Sequence, residues 1–384
     1  MPSEPLDADT QQLGSTTQAA GQRPACFTSL RFSRSHCATA PKTRMPDLYP
    51  LLLQPQFHER VWGTRDLKPF YTREVTGDPI GEAWLTSDNC TVRNGPLSGR
   101  TLADLAQEFG KQFLGDAARD ATRFPLLIKF LFPTEKLSVQ VHPDDEGAAR
   151  VGQPCGKTEC WYVLRADHGA QIGLGLKPGT SKAEVEAAIR ENRLEHLLNW
   201  IDVHEGDMIY VDAGTVHAIG GGAVIVETQQ NSDTTYRLYD YGRPRELHIE
   251  DGLRATKEQT HAGKAIAGER QIEQGKEQVN LVSSPCFIVD HFKMKRPWEF
   301  RRPRHAKTSV WCLVATRGCG VIETEGAAPV TFTSGETVVI PASTGRFLLK
   351  PQWELEFLCA SLPAEKVEQP ATVLLEKSFS TLQR

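Results

Sequence analysis

The 384-residue chain has no long apolar run, no basic surplus and no dense set of cysteines. Each absence closes off a class of function. Its apolar stretches, such as Phe124–Phe132, are too short to cross a bilayer as a helix, which takes about 20 such residues. Forty-four Lys and Arg stand against 48 Asp and Glu, a formal net charge of −4. A protein that grips phosphate backbones over a broad surface shows a basic excess, so that class is excluded. A pocket for one small anion needs only two or three cations and is not. The nine cysteines are odd in number and scattered from Cys26 to Cys359. That usage implies free thiols in a reducing compartment rather than a disulfide framework. Cys155 and Cys160 have no second pair nearby, so a structural zinc site is not expected there.

Residues 1–44 lack hydrophobic periodicity, and from Gly14 to Arg44 they lack any acidic residue. Their Ser, Thr, Gln, Ala and Pro content partly matches an organellar transit peptide. The reading adopted is that Met45 is the natural start and the preceding stretch a disordered extension.

From Leu48 onward the texture is that of a mainly β protein. "IGEAWLTSD", "FPLLIKFLF", "LSVQVH", "ECWYVLRA", "DMIYVDA", "AVIVETQQ" and "TYRLYDYG" read as short strands bounded by Gly, Pro, Asp or Asn. Two segments carry helical spacing instead: "TLADLAQEFGKQFLG", and "SKAEVEAAIRENRLEHLLNW", which opens with a capping box of Ser181 and Glu184. Both are expected to pack on a β-core. Polar residues 258–278 read as a linker, followed by a second all-β block. The domain plan is therefore an extension at 1–44, a first β-rich domain with helical insertions at 45–257, the linker, and a β-domain at 279–384; the motifs below make the first of these the expected metal-binding catalytic domain.

A weak repeat relates the two blocks. Gly206 precedes His217, and Gly335 precedes Arg346, by the same offset, with a Gly-acid turn and an alternating strand between. The first copy closely resembles the second motif of the cupin jelly roll, with Asp212 where proline is usual. Both blocks are accordingly expected to be cupin-like jelly-roll barrels, the second degenerate. In that fold His217 points into the barrel, and an upstream hairpin supplies further ligands. In "KLSVQVHPDD", Gln140 and His142 share one strand face, and Glu159 in "GKTECWYV" fits the third position. Two His, one Glu and one Gln suit a divalent metal with open coordination positions. Asp144 and Asp145 are read as caps of a short helix rather than ligands.

Several of these stretches together resemble one family. "FPLLIKFLFPTEKLSVQVHPDD", "GKTECWYV", "GTVHAI" and "ETQQNSDTTYRLYDYGR" are similar to type I mannose-6-phosphate isomerase in its short bacterial form, over about Tyr49 to Thr256. The resemblance implies interconversion of mannose 6-phosphate and fructose 6-phosphate with one zinc ion held by Gln140, His142, Glu159 and His217. Arg237 matches an arginine treated as catalytic. Lys129, Ser138, Lys157 and Glu227 match positions lining the substrate pocket. The large helical insert of the long eukaryotic form is missing, and so is a pyrophosphorylase domain.

Isomerisation through an enediol develops negative charge on O1 and O2, which a divalent metal and an arginine stabilise. Glu227 is the first candidate for the base, with Lys157 and Lys129 supplying positive charge and Ser138 a hydrogen bond. Each has a structural alternative: Lys129 as an edge residue reaching water, Arg237 as a partner of Asp233 or Asp240, Glu227 as a bonder of its neighbours. The rival functions are a cupin oxygenase using iron, and a non-catalytic sugar-phosphate-binding regulator. The expected setting is cytoplasmic and monomeric, with a small sugar phosphate as partner and neither nucleic acid nor membrane.

Overall fold

The computed structural model describes residues 47–302, 307–365 and 367, with the backbone of 373–374. The expected extension at 1–44 lies outside the described residues. Contacts separate Met1–Met45 from Pro46–Arg384, and every described residue falls in the second unit.

Among the described residues the strands form three antiparallel sheets. The first runs Gln56–Thr64, Ile80–Thr86, Leu126–Leu131, Ala223–Gln230, Glu159–Ala166, Met208–Val211, Gly263–Ala265 and Val373–Leu374. The second runs Tyr236–Tyr239, Val139–Val141, His217–Ile219, Gln171–Leu176 and Leu198–Asp202. The third gathers the strands from Gln271 to Ser361 and takes one strand, Leu51–Leu52, from the start of the described chain. This is the mainly β, jelly-roll-type architecture expected, with helices on the outside.

Both faces of most central strands are buried, which explains their unbroken apolar texture. Ile172, Leu174, Ile209, Val211, Ile219 and Ile225 fill the space between the first two sheets below the polar site. Val139 and Val141 point the other way, onto Val185 and Ile189 of the Lys182–Arg190 helix. The polar side of "KLSVQVH" is therefore not a wet surface; it faces the barrel interior. Capping boxes fix both helix starts, Thr101 with Asp104 and Ser181 with Glu184, as the sequence indicates for the second.

Two expectations need correction. The helix read through to Trp200 ends at Arg190, and Asn192 turns left-handed at φ 54°. After a short 3-10 turn, Leu198–Asp202 is a strand. Leu194 and Leu198 are buried beside Val185 and Ile189 all the same, so the apolar spacing marked burial rather than helix. Within 258–278 the chain also forms the strands Gly263–Ala265 and Gln271–Glu273 and enters Lys276–Ser283. Backbone polar groups packed beside a sheet edge are satisfied most directly by pairing to it, and Gly263 and Lys264 pair with Tyr210 and Ile209.

Candidate active site

Register sets the site before any side chain is considered. Across the second sheet Arg237 lies opposite Gln140, and Gln140 opposite His217. Across the first, Lys129 lies opposite Glu227, and Glu227 opposite Trp161. Glu159 pairs with Gln229 two residues along the same strands. Directly paired residues share a sheet face, so two polar rows confront each other inside the barrel.

Turns bring the remaining pieces in. Gly214, at φ 95°, donates its N–H to the His142 carbonyl at 2.9 Å and so ties the two histidine-bearing segments together. A Cβ there would meet Lys257 Cδ at 2.6 Å, so the position takes glycine on two counts. Asp144 caps the Asp145–Arg150 helix by accepting from Gly147 N–H at 2.9 Å.

His142, Glu159 and His217 are buried, and their ligand atoms lie within 4.8 Å of one another. Each imidazole donates from Nδ1 to a carbonyl at 2.9 Å, His142 to Thr234 and His217 to Thr215. That fixes the tautomer and turns both Nε2 lone pairs inward. Glu159 Oε1 sits 3.3 Å from His217 Nε2 and 3.6 Å from His142 Nε2, buried and without a hydrogen-bond donor. Three acceptors converging in a dry site are satisfied by a cation. The residues present therefore fit a divalent metal. Gln140 borders the set, its amide nitrogen donating to His217 Nε2 at 3.2 Å, and Ser138 Oγ lies 3.4 Å from Gln140 Oε1.

The charges around the cluster are arranged to keep it acceptor-rich. Burial, reinforced by the Lys157 charge, pushes His142 down to about 3, so its imidazole is neutral near pH 7. Burial lowers His217 as well. For Glu159 burial is the largest influence and acts upward, yet Lys157 and the imidazoles hold the carboxyl well below its usual range. The Lys157 ammonium bonds Glu159 Oε2 and sits 3.0 Å from His142 Nε2. A cationic group thus already rests against two of the three acceptors.

Beside this cluster Lys129 Nζ lies 2.8 Å from Glu227 Oε2, and Lys157 Nζ lies 3.7 Å from Oε1. Lys129 is buried, so it is not an edge residue reaching water. Glu227 is raised by burial, which Lys129 and Lys157 oppose. Arg237 donates from Nη1 to the Glu246 carbonyl at 2.8 Å and has a buried, unpartnered Nε. Asp240 is taken by Arg245, at 2.6 and 2.7 Å, and by Arg243 at 3.0 Å.

The structure adds neighbours that sequence reasoning missed. Trp161 Nε1–H donates to Glu227 Oε1 at 3.0 Å. Glu82 accepts from Arg60 at 3.0 and 3.1 Å and from Trp84 at 2.7 Å. Trp161 had a signal, since it stands two residues after Glu159 and so shares its strand face. Glu82 had none, because only cross-strand register brings its strand beside Lys129. Against the repeat, Arg346 is exposed and pairs with Glu325 at 3.4 Å, and it belongs to no such cluster of acceptors among the described residues.

Comparisons with known proteins agree with this geometry. Residues 51–169 match the family described as phosphomannose isomerase type I, catalytic domain. The mannose-6-phosphate isomerase of Streptococcus mutans is 37% identical over 304 residues, covering 76% of this chain and 92% of its own. ManA of Bacillus subtilis, also a mannose-6-phosphate isomerase, is 35% identical over 318 residues, covering 78% and 96%. A crystal structure of the Bacillus subtilis mannose 6-phosphate isomerase shares 32% identity with a TM-score of 0.72, covering 81% of this chain and 99% of that one. A putative mannosephosphate isomerase structure from Archaeoglobus fulgidus, at 19% identity and TM-score 0.63, shares the fold. The chain belongs to the type I mannose-6-phosphate isomerase family.

Proposed function

We propose that the protein interconverts mannose 6-phosphate and fructose 6-phosphate, with zinc as its metal. The observation that carries the reading is the orphaned Glu159 Oε1 facing two inward-turned imidazole nitrogens. His142, Glu159 and His217 would hold the ion, and a half-turn of the Gln140 amide offers its oxygen as the fourth ligand. When bound, the metal supplies Lewis acidity toward the sugar oxygens that gain charge.

The reaction moves one carbon-bound and one oxygen-bound proton. Glu227 takes the proton from C2 of the open-chain aldose, and the C–H electrons form the C1–C2 double bond of the enediol. The hydroxyl proton passes from O2 to O1, and Glu227 returns its proton to C1. Burial raises the Glu227 carboxyl above its usual range against the pull of Lys129 and Lys157, the direction that suits a group that must both accept and release a proton. Lys157 and Lys129 hold it between two positive charges, and Arg237 faces the cavity from the opposite sheet, where a guanidinium stabilises developing negative charge. Ser138 orients Gln140 and is within the same row. All of these side chains come from the block at 45–257, so we assign catalysis there and a supporting role to 279–384. Among the described residues no helix is long and apolar enough to cross a membrane. The free thiols among them suit a cytoplasmic setting.

The test is a coupled assay for fructose 6-phosphate formed from mannose 6-phosphate, before and after chelation. Chelation should abolish turnover and zinc should restore it. His217→Ala should lose metal, whereas Arg237→Ala should keep metal and lose turnover by at least a hundredfold, roughly the loss on removing a charge-stabilising donor. Tight zinc retention by the histidine variant would show the ligand set to be wrong.

A further inference from the structure

We propose that Trp161 is a positioning residue for the proton transfer, and that its indole N–H decides which oxygen of Glu227 carries the proton. The inference rests on the base assignment made above for Glu227.

Trp161 is fully buried, and a buried indole N–H left without an acceptor is destabilising. Its acceptor is Glu227 Oε1, at 3.0 Å. The two residues are directly paired across adjacent strands, Glu159–Ala166 and Ala223–Gln230, so backbone register holds donor and acceptor together. Sheet register is stiffer than any loop contact, and a donor fixed this way needs no rearrangement during the reaction.

The two carboxylate oxygens are treated differently. Oε1 receives the directional hydrogen bond. Oε2 lies 2.8 Å from Lys129 Nζ but has no hydrogen-bond donor aligned with it. Among the described residues, the Trp161 N–H is the aligned donor on this carboxylate. With Oε1 engaged, Oε2 keeps its lone pair, takes the proton from C2 and gives it back to C1. One oxygen serves both carbons, and no proton is left over.

The ring has a second contact that a test must separate from the first. Its face meets the His217 ring edge-on, with centroids 5.2 Å apart at 64°. A purely structural role for Trp161 would act through that packing and would show in metal content. A positioning role acts through the N–H.

The decisive variants are Trp161→Phe, which keeps an aromatic ring, and a full-length protein carrying 3-benzothienylalanine at 161. In the latter, sulfur replaces the N–H within the same ring outline. The expected result is a kcat lowered about tenfold to a hundredfold, the range for a misplaced general base. KM should change by less than about twofold, the signature of an interaction made only in the transition state. Bound metal should remain one per chain, and thermal stability should be close to the parent for the isosteric analogue. Introducing Trp161→Phe into Glu227→Gln should cost no further turnover, because the two groups act as one unit. An unchanged kcat in the benzothienyl protein overturns the proposal. So does a kcat loss that tracks metal loss, or one that multiplies independently of Glu227→Gln. Full turnover in Glu227→Gln would instead overturn the base assignment and the inference with it, whereas an inactive Glu227→Gln beside a fully active Trp161 analogue overturns the inference alone.

Discussion

At the scale of the residue, the site stacks charge in layers away from the acceptor cluster. Glu227 lies against Lys129, and Lys129 is in turn held by Glu82 and Asp233, whose charges with that of Glu227 outweigh the downward pull of burial and raise its ammonium. Burial acts upward on Glu82, but Lys129 and Arg60 bring its carboxyl down to about 2. An acid with a depressed folded-state value contributes stability that is complete above its unfolded value. That contribution fades as pH falls from about 4.5 toward 2. Glu82→Gln should thus lose about 3 kcal/mol near neutral pH, the scale for a broken buried pair. The gap to the parent should close through that pH window in urea titrations. A gap that stays constant as pH falls would mean that the Glu82 charge is not what stabilises the pair. Single residues of this sort were only partly legible in the sequence. Gln140, His142, Glu159 and His217 could be named because their spacing and flanking turns carry a signature. Glu82 and Arg60 could not, since nothing local in "IGEAW" or "HERVWG" says which strand lies next to which.

At the scale of the element, turns and strand ends do more than helices to build the site. Gly206 and Gly214 both sit at positive φ, 92° and 95°, but their surroundings differ. A Cβ at Gly206 meets nothing within 4 Å, while one at Gly214 runs into Lys257. Alanine at either position costs about 1–2 kcal/mol in backbone strain. Gly206→Ala should stop there, with metal content and kcat retained. Gly214→Ala should also weaken metal binding, because its N–H holds the carbonyl of His142. Calorimetry together with metal analysis separates the two, and equal metal retention would refute the link. The same scale explains where pattern reading failed. Leu194, Leu197 and Leu198 have helical spacing after Val185 and Ile189, yet Asn192 ends the helix first. Burial in the Val139–Val141 layer is satisfied equally well by a strand, and periodicity over so few residues does not distinguish the two.

At the scale of the whole molecule, the block at 279–384 is not a free appendage. One continuous apolar core contains Leu53, Phe113, Phe124 and Phe130 together with Phe287, Val289, Cys312 and Leu358. Tyr162, on the strand that carries Glu159, stacks on His291 at 5.8 Å. Phe287 is fully buried in that shared core and also lies near Tyr210, with ring centroids 6.5 Å apart. Phe287→Ala should destabilise the protein by about 3–5 kcal/mol. Activity and the fluorescence of tryptophans in both blocks should be lost in one denaturant transition. Two separated transitions would show the halves to be independent. Sequence reading found the two β-blocks through their turn spacing and the faint likeness of Gly206 to Gly335. It could not see that they share a core, because apolar strands do not announce which partner they bury against.

Leu51 and Leu52 pair with Val339 and Val338, about 290 residues later. As the chain leaves the ribosome, Leu52 can bond Arg93 and Asn94 early, but the strand that Leu51–Leu52 pairs with emerges only about 290 residues later. Until then its other edge stays unpaired, while the sheets carrying His142, Glu159 and His217 can begin to pair. Pairing of these two strands is therefore a late event, and long-range closure of this kind is slow. The edge that this strand covers is the Thr337–Ile340 strand, so until Leu51–Leu52 docks that strand offers an unpaired β-edge, the kind of surface on which aggregates start.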